Sequence, residues 1–117
     1  MTDKIVVMVT CASRAEAGRI AKALVEQRLA ACVNVATAPV HSVYRWKRKV
    51  ETAREWLLLI KSTHRRFPAL RAEIARLHSY EVPEVIALPI AAGSAAYLRW
   101  LAESAQPERK RKPRRKR

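Results

Sequence analysis

AACVNVATAPVHSVYRWKRKVETAREWLLLIKS, residues 30–62, decides the fold. Its first half, residues 30–47, places Val33, Val35, Val43, Tyr44 and Trp46 where a pleated strand wants β-branched and aromatic side chains. Pro39 interrupts this run, as expected at a sheet edge or a bend. After the polar segment KRKVET, the run AREWLLLIKS (residues 53–62) returns as a second strand. Together they predict a long hairpin. A straight strand over residues 33–47 would span about 50 Å at ~3.3 Å per residue. A domain of this size has a radius of gyration near ~13 Å. The hairpin must therefore bend, project from the body, or do both. Tyr44 and Trp46 are two residues apart and share one strand face, with Arg45 and Lys47 on the other. A projecting hairpin that shows these aromatics and Trp56 to water has the character of an interface.

The flanking segments complete the order. KIVVMVT (residues 4–10) is short, apolar and β-branched, and reads as a buried central strand. Ser13 stands three residues before Glu16, the capping-box spacing, and opens a helix that ends near Arg28. Ala17, Ile20, Ala21, Leu24 and Val25 form its apolar stripe, and Arg14, Glu16, Arg19, Lys22 and Glu26 take the other side. Ser62 or Thr63 caps a second helix with Phe67, Leu70, Ile74 and Leu77 on one face, and Pro68 fits only near its start. Val82-Pro83 forces extended backbone. EVIALPI (residues 84–90) is the last main strand, and AAYLRWLAE (residues 95–103) a short helix after Gly93-Ser94. The order β-α-β-β-α-β plus a helix predicts an α+β, ferredoxin-like sandwich, with two helices on one face of an antiparallel sheet. Its other face needs a cover the chain does not supply, which symmetric self-association would provide.

The chain has 117 residues, enough for one domain with a real core. Lys plus Arg is 24 and Asp plus Glu is 10, hence a net charge of +14. The tail PERKRKPRRKR, residues 107–117, has eight basic residues and one acid, so +7, and residues 1–106 carry the other +7. The tail has nothing to bury, so the reading is a folded domain over 1–104 and a disordered basic tail over 105–117. Such a tail solubilises, or contacts nucleic acid or another polyanion by charge attraction. The two cysteines, Cys11 and Cys32, imply no disulfide framework. MTDKIVVMVT lacks a signal-peptide pattern, and no apolar run nears the roughly 20 residues that cross a bilayer. A cytoplasmic protein with no membrane contact is expected.

Several functions lack their motifs. IVVMVTC and REWLLLIKS do not match the aromatic pattern of RNA-binding sheets, so Tyr44 and Trp46 read as a subunit interface rather than a stacking platform. The only glycines are Gly18 and Gly93, too few for a phosphate-cradling loop. No Ser/His/Asp or Cys/His arrangement has its motif context, so no enzymatic activity is expected.

LVEQRLAACVNV (residues 24–35), SVYRWKRKVE (42–51), LLLIKST (57–63), LHSYEVPEVIALPI (77–90) and YLRWL (97–101) stand in an order that resembles the CutA family of divalent-cation tolerance proteins over residues 4 to about 104. The resemblance implies a tight, PII-like homotrimer of ferredoxin-like subunits whose long hairpins pair with neighbouring subunits. It implies tolerance to copper and other divalent cations, metal binding, and no established reaction. The chain departs from the family pattern twice. Arg48 stands where W-x-G-K has glycine, and Ser79 replaces the proline of LHPYEVPE.

Site expectations follow from this resemblance and from ligand chemistry. Cys32 matches the family's cysteine position, and a thiolate is a good soft ligand for copper. No partner lies at a short ligand spacing, so a site with Cys32, His78 and Glu81 would be shared between subunits. Tyr44, Trp46, Glu51, Lys61 and Tyr80 are the expected residues of an intersubunit ligand cleft. The expected cofactor is a divalent metal ion, copper foremost. The alternative is a PII-like trimeric scaffold or signalling protein whose basic tail binds a polyanion.

Overall fold

Eight hydrogen-bonded registers join β1 (Lys4–Cys11) to the inner half of β4 (Lys49–Thr63) at the centre of the sheet. The structure, a computed structural model, describes residues 1–108 of the 117, so most of the basic tail lies outside the described residues. In β1, Ile5, Val7, Val9 and Cys11 are buried while the residues between them are half-buried, the alternation of a strand with helices on one face. β5 (Ile86–Pro89) pairs with the other edge of β1, and β2 (Cys32–Val35) with β4, all antiparallel. The order β2-β4-β1-β5 is that of a ferredoxin-like βαββαβ sheet. α1 (Arg14–Glu26) and α2 (Phe67–Leu77) cover one face, burying Ile20, Leu24, Leu70 and Ile74 against Val7, Val9, Leu58 and Ile60.

The expected first hairpin strand is two strands. Its ladder lapses around Pro39, and β3 (Val40–Trp46) resumes against the outer half of β4. The fifteen residues of β4 extend about 50 Å. The outer hairpin therefore leaves the body, and the molecule measures 68 Å in its longest dimension with a radius of gyration of 16.6 Å. The return strand begins at Lys49 rather than residue 53, because the loop is only two residues long. Trp46 pairs with Lys49, and Lys47 and Arg48 both take positive φ (48° and 70°), the backbone of a type I′ turn.

Three local expectations change. Ser13 does cap α1, its Oγ accepting from the Glu16 amide at 3.1 Å, but the Glu16 carboxylate turns inward and is buried. Val25, placed on the apolar stripe by spacing, is exposed instead. Thr63 caps a 3-10 turn (His64–Arg66), and α2 starts after it without a side-chain cap, with Pro68 in its first turn.

α3 (Ala95–Ser104) buries Leu101 with Ala31 and Ala105, and Ile90 packs alongside. Arg28, at φ 58°, donates to the carbonyls of Glu103 and Gln106 and so clamps the end of this helix. The packed body thus runs past residue 104. The sheet face away from α1 and α2 presents Val6, Met8, Leu57, Leu59, Ile86 and Leu88, the last two about half exposed.

Candidate functional site

A cleft of about 750 Å³ opens between the root of the hairpin and the segment that follows α2. One wall is Thr10, Ser42, Val43, Tyr44, Trp46 and Glu55, and the other is residues 79–84. The register Tyr44↔Glu51 and Trp46↔Lys49 keeps both aromatics on one hairpin face, which is how they come to line the same wall. The lining includes three carboxylates (Glu55, Glu81 and Glu84) and no basic side chain, although the chain carries +14. A cleft with one sign of charge concentrates ions of the other. Here that means cations.

Tyr80 closes the floor. Its hydroxyl donates to Glu55 Oε2 at 2.9 Å, and its ring lies 4.8 Å from that of His78. Burial, and then the bond to Glu55, hold the Tyr80 phenol above its ordinary range.

Behind this floor His78 is fixed at both nitrogens. Nε2–H donates to the Thr10 carbonyl at 2.8 Å, and Nδ1 accepts from the Tyr80 amide at 3.0 Å. That pattern is the tautomer protonated at Nε2. Glu16 Oε1 lies 3.3 Å from Nδ1 and has no hydrogen-bond donor of its own. Cys11, Glu16 and His78 are all buried, and their ligating atoms fall within 4.8 Å of one another. Among the described residues this is the one such group of three. Burial and then the charges of Glu16 and Glu55 push the Cys11 thiol up to about 12. A thiol there is a proton carrier at neutral pH unless a cation offsets those carboxylates.

The expected site residues divide among three places. His78 belongs to the buried group. Tyr44, Trp46, Tyr80 and Glu81 line the cleft. Cys32 pairs with Lys61 on the uncovered sheet face, its Sγ 3.7 Å from the Tyr97 hydroxyl. Glu51 lies opposite Tyr44 on the outer hairpin, and neither it nor Lys61 lines the cleft. His78 is tied to Thr10, which pairs with Leu57, four residues along β4 from Lys61. Cys32 and His78 are therefore separated by about 13 Å along the strand, too far to hold one ion within a single chain.

Cys11 and Glu16 were missed. Cys11 ends β1 on its helix-facing side, and Glu16 satisfies a capping pattern that is complete on local grounds. The one available signal was their closeness in sequence across a strand-to-helix turn.

Residues 5–104 match the family model described as CutA1 divalent ion tolerance protein. The "Divalent-cation tolerance protein CutA" of Thermus thermophilus is 50% identical over 99 residues, covering 85% of this chain and 95% of that protein. The mouse "Protein CutA" is 46% identical over 93 residues, and the match spans about half of that longer protein (80% of this chain and 52% of the mouse one). The solved structure of the Thermus thermophilus protein superposes with a TM-score of 0.86 at 48% identity, covering 88% of this chain and 99% of that one.

Proposed function

Because the chain belongs to the CutA1 divalent ion tolerance family, we propose that it is a homotrimeric, PII-like protein that binds divalent cations, copper(II) foremost. The family is not catalytic, and the reading asks for no reaction. The observation that carries it is the charge of the cleft: three carboxylates and no basic side chain in a chain of +14. That contrast favours cations over the anionic ligands a basic protein would otherwise attract. None of the helices among the described residues is long and apolar enough to cross a membrane.

The trimer is supported by the uncovered sheet face and by the outer hairpin, where Val43 and Val50 are exposed. Large apolar area of this kind is covered by association. Sharing between subunits would leave only Cys32 and Glu81 of the expected set able to meet, since His78 has no exposed side-chain surface and is bonded at both nitrogens within its own chain. Two free thiols fit a reducing, cytoplasmic setting. The polyanion reading rests on the tail, whose residues 109–117 carry eight basic side chains and lie outside the described residues.

Calorimetric titration of the full chain with copper(II), beside light scattering for its mass, tests the proposal. Saturable binding at a simple ratio per chain and a trimer mass are expected, with binding weakened in Cys32→Ala and Glu81→Gln. Absence of saturable binding overturns the metal role. Retention on nucleic acid that disappears when residues 107–117 are removed, with metal binding unchanged, assigns the tail a separate activity.

A further inference from the structure

We propose that the tip of the projecting hairpin and the basic tail form a two-part, sequence-independent binding surface for the phosphate backbone of duplex nucleic acid. This goes beyond the cation-binding reading and does not rest on it.

The first observation is where the charge sits. Residues 45–49, RWKRK, hold four basic side chains and no acid, and residues 107–117 carry +7. These two segments hold +11 of the net +14, so the other 101 residues carry only +3. The excess is concentrated on two appendages and is not spread over a solvated body. At the hairpin tip it wraps the ribbon. Arg45 pairs with Val50 and Trp46 with Lys49, which puts Arg45 and Lys49 on opposite hairpin faces, with Lys47 and Arg48 at the end. All four basic residues are exposed, and among the described residues no carboxylate forms an ion pair with them.

The second observation is the backbone beneath that charge. Lys47 and Arg48 hold φ at 48° and 70°, in a two-residue turn that favours Asn-Gly. Keeping long basic side chains there lowers stability. Backbone in disfavoured regions is concentrated where function needs the residue it carries.

The dimensions fit a duplex. β3 and β4 leave the body as a two-stranded ribbon, the size of element that a major groove about 12 Å wide admits. Arg28 holds the carbonyls of Glu103 and Gln106, which fixes where the tail starts. That point is near Lys61, because Ala31 donates to the Lys61 carbonyl and packs with Ala105. Lys49 and Lys61 are both on β4, so the tip and the root of the tail are about 40 Å apart. A duplex of about 20 base pairs, ~68 Å long, reaches both. The tail has no aliphatic side chain besides its two prolines and no aromatic one, hence nothing to insert into a bilayer. A duplex offers it one phosphate charge per ~1.7 Å of axis.

The test is fluorescence anisotropy of the full chain with a labelled DNA duplex of about 20 base pairs, titrated across a salt series starting near 50 mM. Saturable binding that weakens steeply with salt is expected. Lys47→Asn with Arg48→Gly should weaken it and make the log–log salt slope shallower by about 2 per bound chain. Arg48→Gly alone should remove about 1 from the slope, and Arg48→Lys should keep it. Urea midpoints that do not fall in the tip variants separate a lost phosphate contact from a lost fold. Removal of residues 107–117 should weaken binding further and leave a residual, salt-sensitive affinity that the tip substitutions abolish. Tip variants that bind with wild-type affinity and slope overturn the two-part surface, leaving the tail to act alone. Retention on phosphatidylserine vesicles with no duplex binding assigns the charge to a membrane surface and overturns the proposal. No binding to duplex near 50 mM salt also overturns it, whatever the copper(II) titration shows.

Discussion

Tyr80 joins the segment after α2 to the hairpin through one bond, its hydroxyl donating to Glu55 Oε2 at 2.9 Å. Glu55 is buried, so its carboxylate depends on this donor. Tyr80→Phe keeps the ring and removes the donor, and should cost about 1–3 kcal/mol, the penalty for a buried acceptor left short. The pH dependence has a definite sign. A phenol raised on folding contributes stability that is complete below the ordinary tyrosine value near ~10 and is lost as pH rises above it. The gap between wild type and Tyr80→Phe in urea midpoints should therefore be full at neutral pH and shrink in alkaline buffer. A gap that widens with pH would contradict the assignment.

The two thiols should differ sharply in reactivity. Cys11 is fully buried and pushed up to about 12, whereas Cys32 is half-buried at the sheet surface. Only the thiolate alkylates, so Cys32 should react with iodoacetamide while Cys11 waits for unfolding. Peptide mass spectrometry after timed exposure separates them. Equal rates in the native protein would mean that Cys11 is not enclosed.

Leu101 anchors α3, fully buried with Ala31 and Ala105. Leu101→Ala should cost about 2–5 kcal/mol, as for other buried leucines. The same helix presents Tyr97 to Cys32 at 3.7 Å. Loosening it should therefore speed Cys32 alkylation in the native state and leave Cys11 protected. Faster labelling of Cys11 alone would place the weakness at the helix-covered face instead.

Much of this fold is legible because each element announces itself over a few residues. The strand alternation of residues 4–11, the stripe of Leu70 and Ile74, and the break at Pro39 all act locally. The buried group was not legible, for a physical reason. Ser13 and Glu16 form a pattern that a helix cap explains fully, while the actual position of the Glu16 carboxylate depends on His78, which is 62 residues away in sequence. Cys32 drew the metal reading because its surroundings match a family stretch, yet the register places it opposite Lys61 rather than near His78. Local patterns specify elements, and only the pairing of β1 with β4 brings Thr10, and through it His78, to the root of the hairpin.

The hairpin loop tests how much strain one turn holds. Lys47 and Arg48 both sit at positive φ, 48° and 70°, in a two-residue loop that favours Asn-Gly. A side chain in the left-handed region costs on the order of 1 kcal/mol, and glycine removes that cost. Arg48→Gly should therefore stabilise the chain by about 1 kcal/mol, seen as a higher urea midpoint with an unchanged slope. Arg48→Ala removes the same charge but keeps a Cβ, and should give no comparable gain. Lys47→Asn combined with Arg48→Gly should add a further increment, because asparagine is the preferred residue at the first position of this turn. If Arg48→Ala stabilises as much as Arg48→Gly, the gain comes from relieved charge repulsion in a basic hairpin tip, and the backbone account of the turn fails.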